Sequence, residues 1–99
     1  MRLKPHQIDI IRRAVADLAG DDAQVSLFGS RTNDNARGGD IDLLVEIPHS
    51  VEESAWLIAR IAGRISHRLG GQKIDVVLSA PNLKRYPIHD EAKKQGVAL

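Results

Sequence analysis

Apolar positions recur along the chain with a helical period in two places, and each place predicts an amphipathic helix. The first helix is predicted between Pro5, which suits a first helical turn, and Gly20, which ends it. Its apolar positions are Ile8, Ile11, Val15 and Leu18. The second is predicted behind Ser50, because Ser50-Val51-Glu52-Glu53 matches a capping box, and it ends at Gly70-Gly71. Its apolar positions are Leu57, Ile58, Ile61, Ile65 and Leu69.

Short apolar runs bounded by turn-forming residues predict three strands. These runs are residues 24–28, 40–47 and 73–79. A loop over residues 30–39, rich in Asn, Asp, Arg and Gly, separates the first two, and a short helix with Gly96 near its end is predicted in the tail. The order α-β-loop-β-α-β-α indicates an α/β (α+β) fold with helices packed on a small sheet. Residues 1–99 are predicted to form a single domain.

Composition narrows the function classes. The chain of 99 residues has no cysteine, which excludes disulfides, thiolate nucleophiles and thiolate metal sites. Its formal net charge is +1 and it has only three aromatic residues, so direct nucleic-acid binding is not expected. No window approaches the length of a membrane span and no signal peptide is evident, so no membrane partner is expected. A cytoplasmic location is compatible with these features.

Three aspartates interrupt strands that otherwise match a buried core. Asp40 and Asp42 stand at the entrance of the second strand, on one face and roughly 6.5 to 7 Å apart along the backbone. Asp75 interrupts the third strand. Burying an unpaired carboxylate at such a position costs on the order of several kcal/mol. If the two strands are neighbours, the three carboxylates can converge and bind divalent cations, with magnesium expected because it prefers oxygen ligands.

The loop behind the first strand adds groups that suit phosphate. Gly29 lets the backbone turn tightly and approach a ligand, and Ser30 offers a hydroxyl and an amide to phosphate oxygens. Arg31 and Arg37 are positive charges on the same loop, each open to a second interpretation as a solvated charge. Together with the aspartates, these residues predict a site for a nucleoside triphosphate, with Gly29, Ser30 and Arg31 as the nucleotide-binding residues.

The stretch from "FGSR" to "GDIDLLVE", residues 28–31 and 39–46, resembles the signature of the nucleotidyltransferase superfamily related to DNA polymerase beta. The chain is similar to the minimal nucleotidyltransferases, or MNT proteins, which include the antitoxins of HEPN/MNT toxin–antitoxin pairs. The tail "IHDEAKKQGVAL" resembles the closing helix and strand of that group. Nine residues separate Ser30 from Asp40, whereas ten is common in the family, a difference that concerns loop geometry.

The resemblance implies a nucleotidyltransferase fold with a mixed sheet and a catalytic, metal-binding set of Asp40, Asp42 and Asp75. Two Mg²⁺ ions are implied, with Mn²⁺ as a substitute, and so is transfer of a nucleoside monophosphate from ATP or another NTP. Ser30 would contact the triphosphate, and Asp75 would lie nearest the attacking hydroxyl. The implied acceptor is a hydroxyl, a tyrosine in particular, of a HEPN-family helical toxin that the chain would inactivate as antitoxin.

Alternatives stay open beside this hypothesis. The chain could instead be a catalytically silent antitoxin that neutralises a helical toxin by forming a complex, and a homo-oligomer is not excluded. Outside the site, Trp56 is predicted to pack in the core, all four histidines to lie at the surface, and Lys73 to be a solvated charge at a sheet edge.

Overall fold

A four-stranded sheet with three helices makes up the fold in the computed structural model of the chain, which describes residues 3–29 and 40–99. The helices are α1 (Pro5–Ala19), α2 (Ser54–Arg68) and α3 (Pro87–Gln95). The strands are β1 (Gln24–Phe28), β2 (Ile41–Glu46), β3 (Ile74–Ser79) and β4 (Val97–Ala98). The predicted α/β class and element order are confirmed, and the strand that the tail resemblance implied is β4.

The strands lie in the order β3-β2-β1-β4. β2 and β3 are parallel, whereas β1 pairs antiparallel with both β2 and β4, so the implied mixed sheet is confirmed. Two parallel neighbours need a crossover connection, and α2 provides it. The crossover places the first residues of β2 and β3 at the same end of the sheet, and these first residues carry the predicted aspartates.

One face of the sheet packs against α1 and α2 and forms the main core. Ile41, Leu43 and Val45 of β2 point to this face and are fully or almost fully buried. Ile11 of α1 and Ile61 of α2 lie in the same cluster. Burying each such side chain contributes about 1.5–3 kcal/mol, so this face holds the sheet in place and leaves the opposite face available for polar groups.

The opposite face is partly covered by α3. Ala92 packs with Phe28, Leu44 and Val77 in a second, smaller apolar cluster. His89 of the same helix is also buried, so the prediction of a surface position is wrong for this histidine. Its ring joins α3 to the sheet: Nε2 lies 2.9 Å from the Leu78 carbonyl oxygen, and Nδ1 accepts a hydrogen bond of 2.9 Å from the backbone N–H of Tyr86.

The start of α2 differs from the prediction. The helix begins at Ser54 with Glu53 at its N-cap and no side-chain capping bond, so the capping box at Ser50 is wrong. The reason is a side-chain clamp on the preceding segment. Val51 donates its N–H to Asn82 Oδ1 at 2.9 Å and accepts a bond from Asn82 Nδ2 at 2.7 Å. Because both backbone groups of Val51 are used in this way, the chain does not turn into a helix there.

Trp56, in the first turns of α2, is 58% exposed, and the prediction that it packs in the core is wrong. Its indole ring instead lies under the Arg60 guanidinium, whose carbon is 4.6 Å from the ring centroid. The apolar stripe of α2 that faces the core passes through Ile61 and Ile65, and Trp56 lies outside it.

Candidate functional site

A row of three side chains crosses the sheet at the entrance of β2 and β3. In the strand register, Phe28 of β1 is opposite Asp42 of β2, which in turn is opposite Asp75 of β3. Residues opposite one another in a sheet project to the same face. The two strands that carry the aspartates are neighbours, which is the condition for convergence, and Asp42 and Asp75 lie side by side.

The surroundings of the Asp42 carboxyl group disfavour its charged form. Its pKa is raised above the ordinary value of 3.8, first because partial burial penalises the charged form, then because Asp75 and Asp40 repel that charge. A hydrogen bond between the Asp42 and Asp75 side chains raises the pKa further, while the Lys73 ammonium lowers it. A pair of carboxylates held in this way is stabilised by a proton or by a cation placed between them.

Gly29 lies directly against this pair. Its backbone has a φ of +77°, a conformation that side chains disfavour. A Cβ added here would collide with Asp42 Oδ2. Glycine is therefore required at this position twice over, by its backbone angle and by the close approach of the Asp42 carboxylate. The predicted glycine turn and the predicted aspartate meet at one place.

Asp40, the residue before β2, contacts a different group. Its Oδ2 lies 3.4 Å from Lys73 Nζ, with the Lys73 side chain 70% exposed. Lys73 precedes β3 as Asp40 precedes β2, and its carbonyl accepts a bond of 3.1 Å from the N–H of Ile41. Lys73 is exposed as predicted, but its charge is paired with one of the site aspartates. The pair follows from the strand register, extended by one residue, which brings Asp40 and Lys73 opposite each other.

The donor set suits a divalent cation, although the carboxylates are not gathered around one point. Within residues 3–29 and 40–99, no three acidic or histidine side chains form a group that could hold a metal ion together. Asp42 and Asp75 share a contact, whereas Asp40 is engaged by Lys73. Hard oxygen ligands with unrelieved negative charge are nevertheless what Mg²⁺ binds, so the chemistry of these three side chains fits the implied metal.

The remaining predicted nucleotide-binding residues, Ser30 and Arg31, lie outside the residues that the structure describes, and so does Arg37. Their predicted roles stay predictions. Gly29, at the end of the described segment, marks where that loop leaves the sheet. Gly29 itself lies against the Asp42 carboxylate.

Comparison with known proteins agrees with this geometry. The sequence profile of the nucleotidyltransferase domain family matches residues 8–97. This match extends over nearly the whole chain, from α1 to β4. The chain therefore belongs to the nucleotidyltransferase domain family, as the motif resemblance predicted. No curated protein matches the sequence significantly.

A solved structure has the same fold. The crystal structure of a toxin–antitoxin pair named MntA-HpeT, in a mutant form, contains a chain that superposes with a TM-score of 0.64. The match covers 98% of this chain and 71% of that chain, at 19% sequence identity. At this level of identity, the superposition shows a shared fold.

Two residues of structural weight were missed by the sequence interpretation. The buried position of His89 could have been inferred from its spacing to Ala92, since residues three apart share a helix face. Asn82, which clamps Val51, left no periodic signal because it acts across the fold. In the described part of the chain, no helix has the length and apolar character needed to cross a membrane.

Proposed function

We propose that this domain is a Mg²⁺-dependent nucleotidyltransferase that moves AMP from ATP to a hydroxyl group of a helical partner protein. The observation that carries the proposal is the side-by-side placement of Asp42 and Asp75 on parallel strands, directly against Gly29. The proposal includes the site Asp40, Asp42 and Asp75, and it assigns Gly29, Ser30 and Arg31 to the nucleotide. Membership of the nucleotidyltransferase domain family supports the reaction class, which is transfer of a nucleotidyl group.

The carboxylates have distinct roles in this reaction. Asp40, Asp42 and Asp75 would hold two divalent ions, which supply charge neutralisation for the triphosphate and for the pyrophosphate as it leaves. Asp75 lies on β3 at the edge of the sheet and is exposed, whereas Asp42 is enclosed between two strands. An incoming hydroxyl would therefore approach from the Asp75 side.

The proposed chemistry is an in-line displacement at the α-phosphorus. The acceptor oxygen forms a bond to the α-phosphorus as the bond to the bridging oxygen breaks, and pyrophosphate leaves. The hydroxyl proton passes to the Asp75 carboxylate, which is exposed and lies opposite Asp42 in the strand register. Gly29 supports this geometry because its lack of a side chain leaves room beside the Asp42 carboxylate.

The proposed acceptor is a tyrosine of a HEPN-type toxin, and the domain would act as its antitoxin in the cytoplasm. The resemblance to minimal nucleotidyltransferases and the shared fold with a toxin–antitoxin protein support a toxin partner. In this proposal the partner brings its own hydroxyl to the site. Binding of nucleic acid or membrane is not part of the proposal.

Co-expression with a HEPN-type toxin as the candidate partner tests the proposal. Mass spectrometry of the purified partner is expected to show added AMP, located by fragmentation on a tyrosine. The modification should be lost when Asp40→Asn and Asp42→Asn are combined. The matched control is Asp9→Asn, which replaces a surface aspartate of α1 that is paired with Arg13. This variant should leave the modification intact.

A second candidate function is neutralisation by binding alone. The fold shared with a chain of a toxin–antitoxin complex favours this alternative, because complex formation needs no intact carboxylates. The same experiment separates the two. If the double aspartate variant silences the partner as well as the wild type does, with the partner unmodified, neutralisation is by binding and the enzymatic proposal is contradicted.

A further inference from the structure

Among the residues that the structure describes, Lys73 is a positive charge next to the proposed metal site in the strand register. It stands one residue before β3 and its ammonium lies 3.4 Å from the Asp40 carboxylate, which stands one residue before β2. The Lys73 charge also acts on Asp42, the next carboxylate along. A lysine here opposes the binding of a divalent cation in two ways: it engages one ligand and it adds a positive charge to the site.

A site built only to bind metal would gain nothing from this lysine. Asp40 is 44% exposed on its side chain and Lys73 is 70% exposed, so their ion pair is easily exchanged for another partner. Exposed pairs of this kind contribute about 0.2–1 kcal/mol. The pair is therefore strong enough to bias the position of Asp40, yet weak enough to open when a more highly charged anion arrives.

We propose that Lys73 couples metal binding to nucleotide binding: it pairs with Asp40 when no nucleotide is present and moves to the triphosphate when one binds. This inference rests on the proposed function, since it takes Asp40 as a metal ligand. The transfer of Lys73 frees the Asp40 carboxylate for the cation at the moment when the triphosphate supplies the rest of the coordination shell. Metal alone is then bound weakly, and the metal–nucleotide complex is bound tightly.

The chemistry of lysine fits this role. Its ammonium is a compact charge with three donors on a flexible four-carbon stem, so it can change partners without movement of the backbone. The backbone of Lys73 is held in place by its carbonyl, which accepts the 3.1 Å bond from Ile41. Only the side chain needs to move.

By linkage, the factor by which nucleotide tightens metal binding equals the factor by which metal tightens nucleotide binding.

The affinity for Mn²⁺, measured by electron paramagnetic resonance with and without a non-hydrolysable ATP analogue, tests the proposal. Replacing the ammonium in Lys73→Met is expected to tighten Mn²⁺ binding about 2- to 5-fold without nucleotide, in line with the strength of an exposed ion pair. With the analogue present the gain should vanish or reverse, because the lost lysine no longer contacts the triphosphate. The factor that couples the two ligands therefore falls in the variant.

Three further variants show whether Lys73 acts through Asp40. In an Asp40→Asn background, adding Lys73→Met should tighten nucleotide-free Mn²⁺ binding much less. Lys73→Arg should keep the wild-type coupling, since it keeps the charge. Lys93→Met is the matched control, because Lys93 on α3 forms an exposed 3.8 Å pair with Glu46 at the far end of β2; it should leave Mn²⁺ binding unchanged.

Two results would overturn the proposal. One is an unchanged coupling factor in Lys73→Met, while Asp42→Asn still weakens Mn²⁺ binding; the metal site is then correct and Lys73 has only a structural role. The other is a gain in Mn²⁺ affinity that persists in full in the Asp40→Asn background, which would indicate a general field effect. If neither the wild type nor Asp42→Asn binds Mn²⁺ with nucleotide present, the proposed function itself fails.

Discussion

At the scale of single residues, the start of β2 holds an arrangement of charges that is unfavourable for stability. Asp42 is half-buried beside Asp75, and the charge of each carboxylate opposes that of the other. A core position at this point of the strand would ordinarily be apolar. Functional sites commonly lower the stability of a fold. A variant that removes the charge of Asp42 should therefore be more stable than the wild type.

The stability of Asp42→Asn in metal-free buffer is the first test at this scale. Because the pKa of Asp42 is raised above 3.8 in the folded protein, the folded state holds its proton more tightly than the unfolded state. This group therefore lowers the free energy of unfolding as the pH rises through the window above 3.8. The variant carries no charge at this position, so at pH 7 its free energy of unfolding should be higher than that of the wild type by about 0.5 kcal/mol, after allowance for solvent screening. For a domain of this size, this difference corresponds to a melting temperature about 2–4 °C higher.

Below pH 3.8 the advantage of the variant should shrink, since Asp42 is then protonated in both states. Asp9→Asn is the control for a surface aspartate, and its melting temperature should follow the wild type more closely. Thermal unfolding followed by circular dichroism across this pH range gives the answer. A variant that melts well below the wild type at pH 7 would mean that Asp42 is a structural residue.

The residues of the site were predictable from sequence to different degrees. Asp42 and Asp75 could be singled out because a charge inside an apolar strand breaks a local rule, and rules are broken at functional sites. The ion pair of Lys73 and Asp40 was not predicted, because it depends on the register between two strands separated by α2. Ser30 and Arg31 stay predictions, since they lie outside the described residues.

At the scale of elements, α3 is the part of the fold that limits the open face of the sheet. It packs Ala92 on Phe28 and Leu44, next to the row that holds Asp42. His89 fastens its first turn. Because Nδ1 accepts from a backbone N–H, the proton of the neutral ring must be on Nε2, which donates to the Leu78 carbonyl oxygen. The ring therefore joins α3 to β3 through Nε2, while Nδ1 binds the N-cap residue of α3 itself.

His89→Ala should loosen this helix. The change leaves the Leu78 carbonyl and the Tyr86 N–H without their partners, and a buried group left unsatisfied costs about 1–3 kcal/mol. A total loss of about 2 kcal/mol corresponds to a melting temperature lower by about 8–16 °C for a domain of this size. Hydrogen exchange should show the amides of residues 87–95 exchanging faster, while those of α1 change less.

His67→Ala is the matched control, because His67 is an exposed residue in the last turn of α2. Its effect should stay within about 0.5 kcal/mol. Equal melting temperatures for the two variants would contradict the anchoring role of His89.

The elements show where local sequence signals suffice. α1 begins at Pro5 and ends before Gly20 as predicted, because a proline and a glycine set its limits locally. The start of α2 was predicted three residues too early, since the capping-box pattern at Ser50 is overridden by Asn82, which is distant in sequence. Trp56 is exposed because it lies outside the apolar stripe of α2 that passes through Ile61 and Ile65.

At the scale of the whole molecule, the two faces of one sheet have separate tasks. The face under α1 and α2 carries the main core. The other face carries the carboxylates at one end of β2 and is closed by α3 further along the strand. Stability and the proposed chemistry are thus assigned to opposite sides of the same strand, by the alternation of residues such as Ile41 and Asp42.

The central claim is that Asp42 and Asp75 hold a cation together with a nucleoside triphosphate. Calorimetric titration of ATP in the presence of Mg²⁺ tests it most directly, with the wild type, Asp42→Asn combined with Asp75→Asn, and the control Asp9→Asn. We expect the double variant to bind at least about tenfold more weakly, a loss of about 1.4 kcal/mol, and we expect Asp9→Asn to match the wild type. Removing Mg²⁺ with a chelator should weaken wild-type binding as well. Equal ATP affinity in the wild type and the double variant would contradict the account.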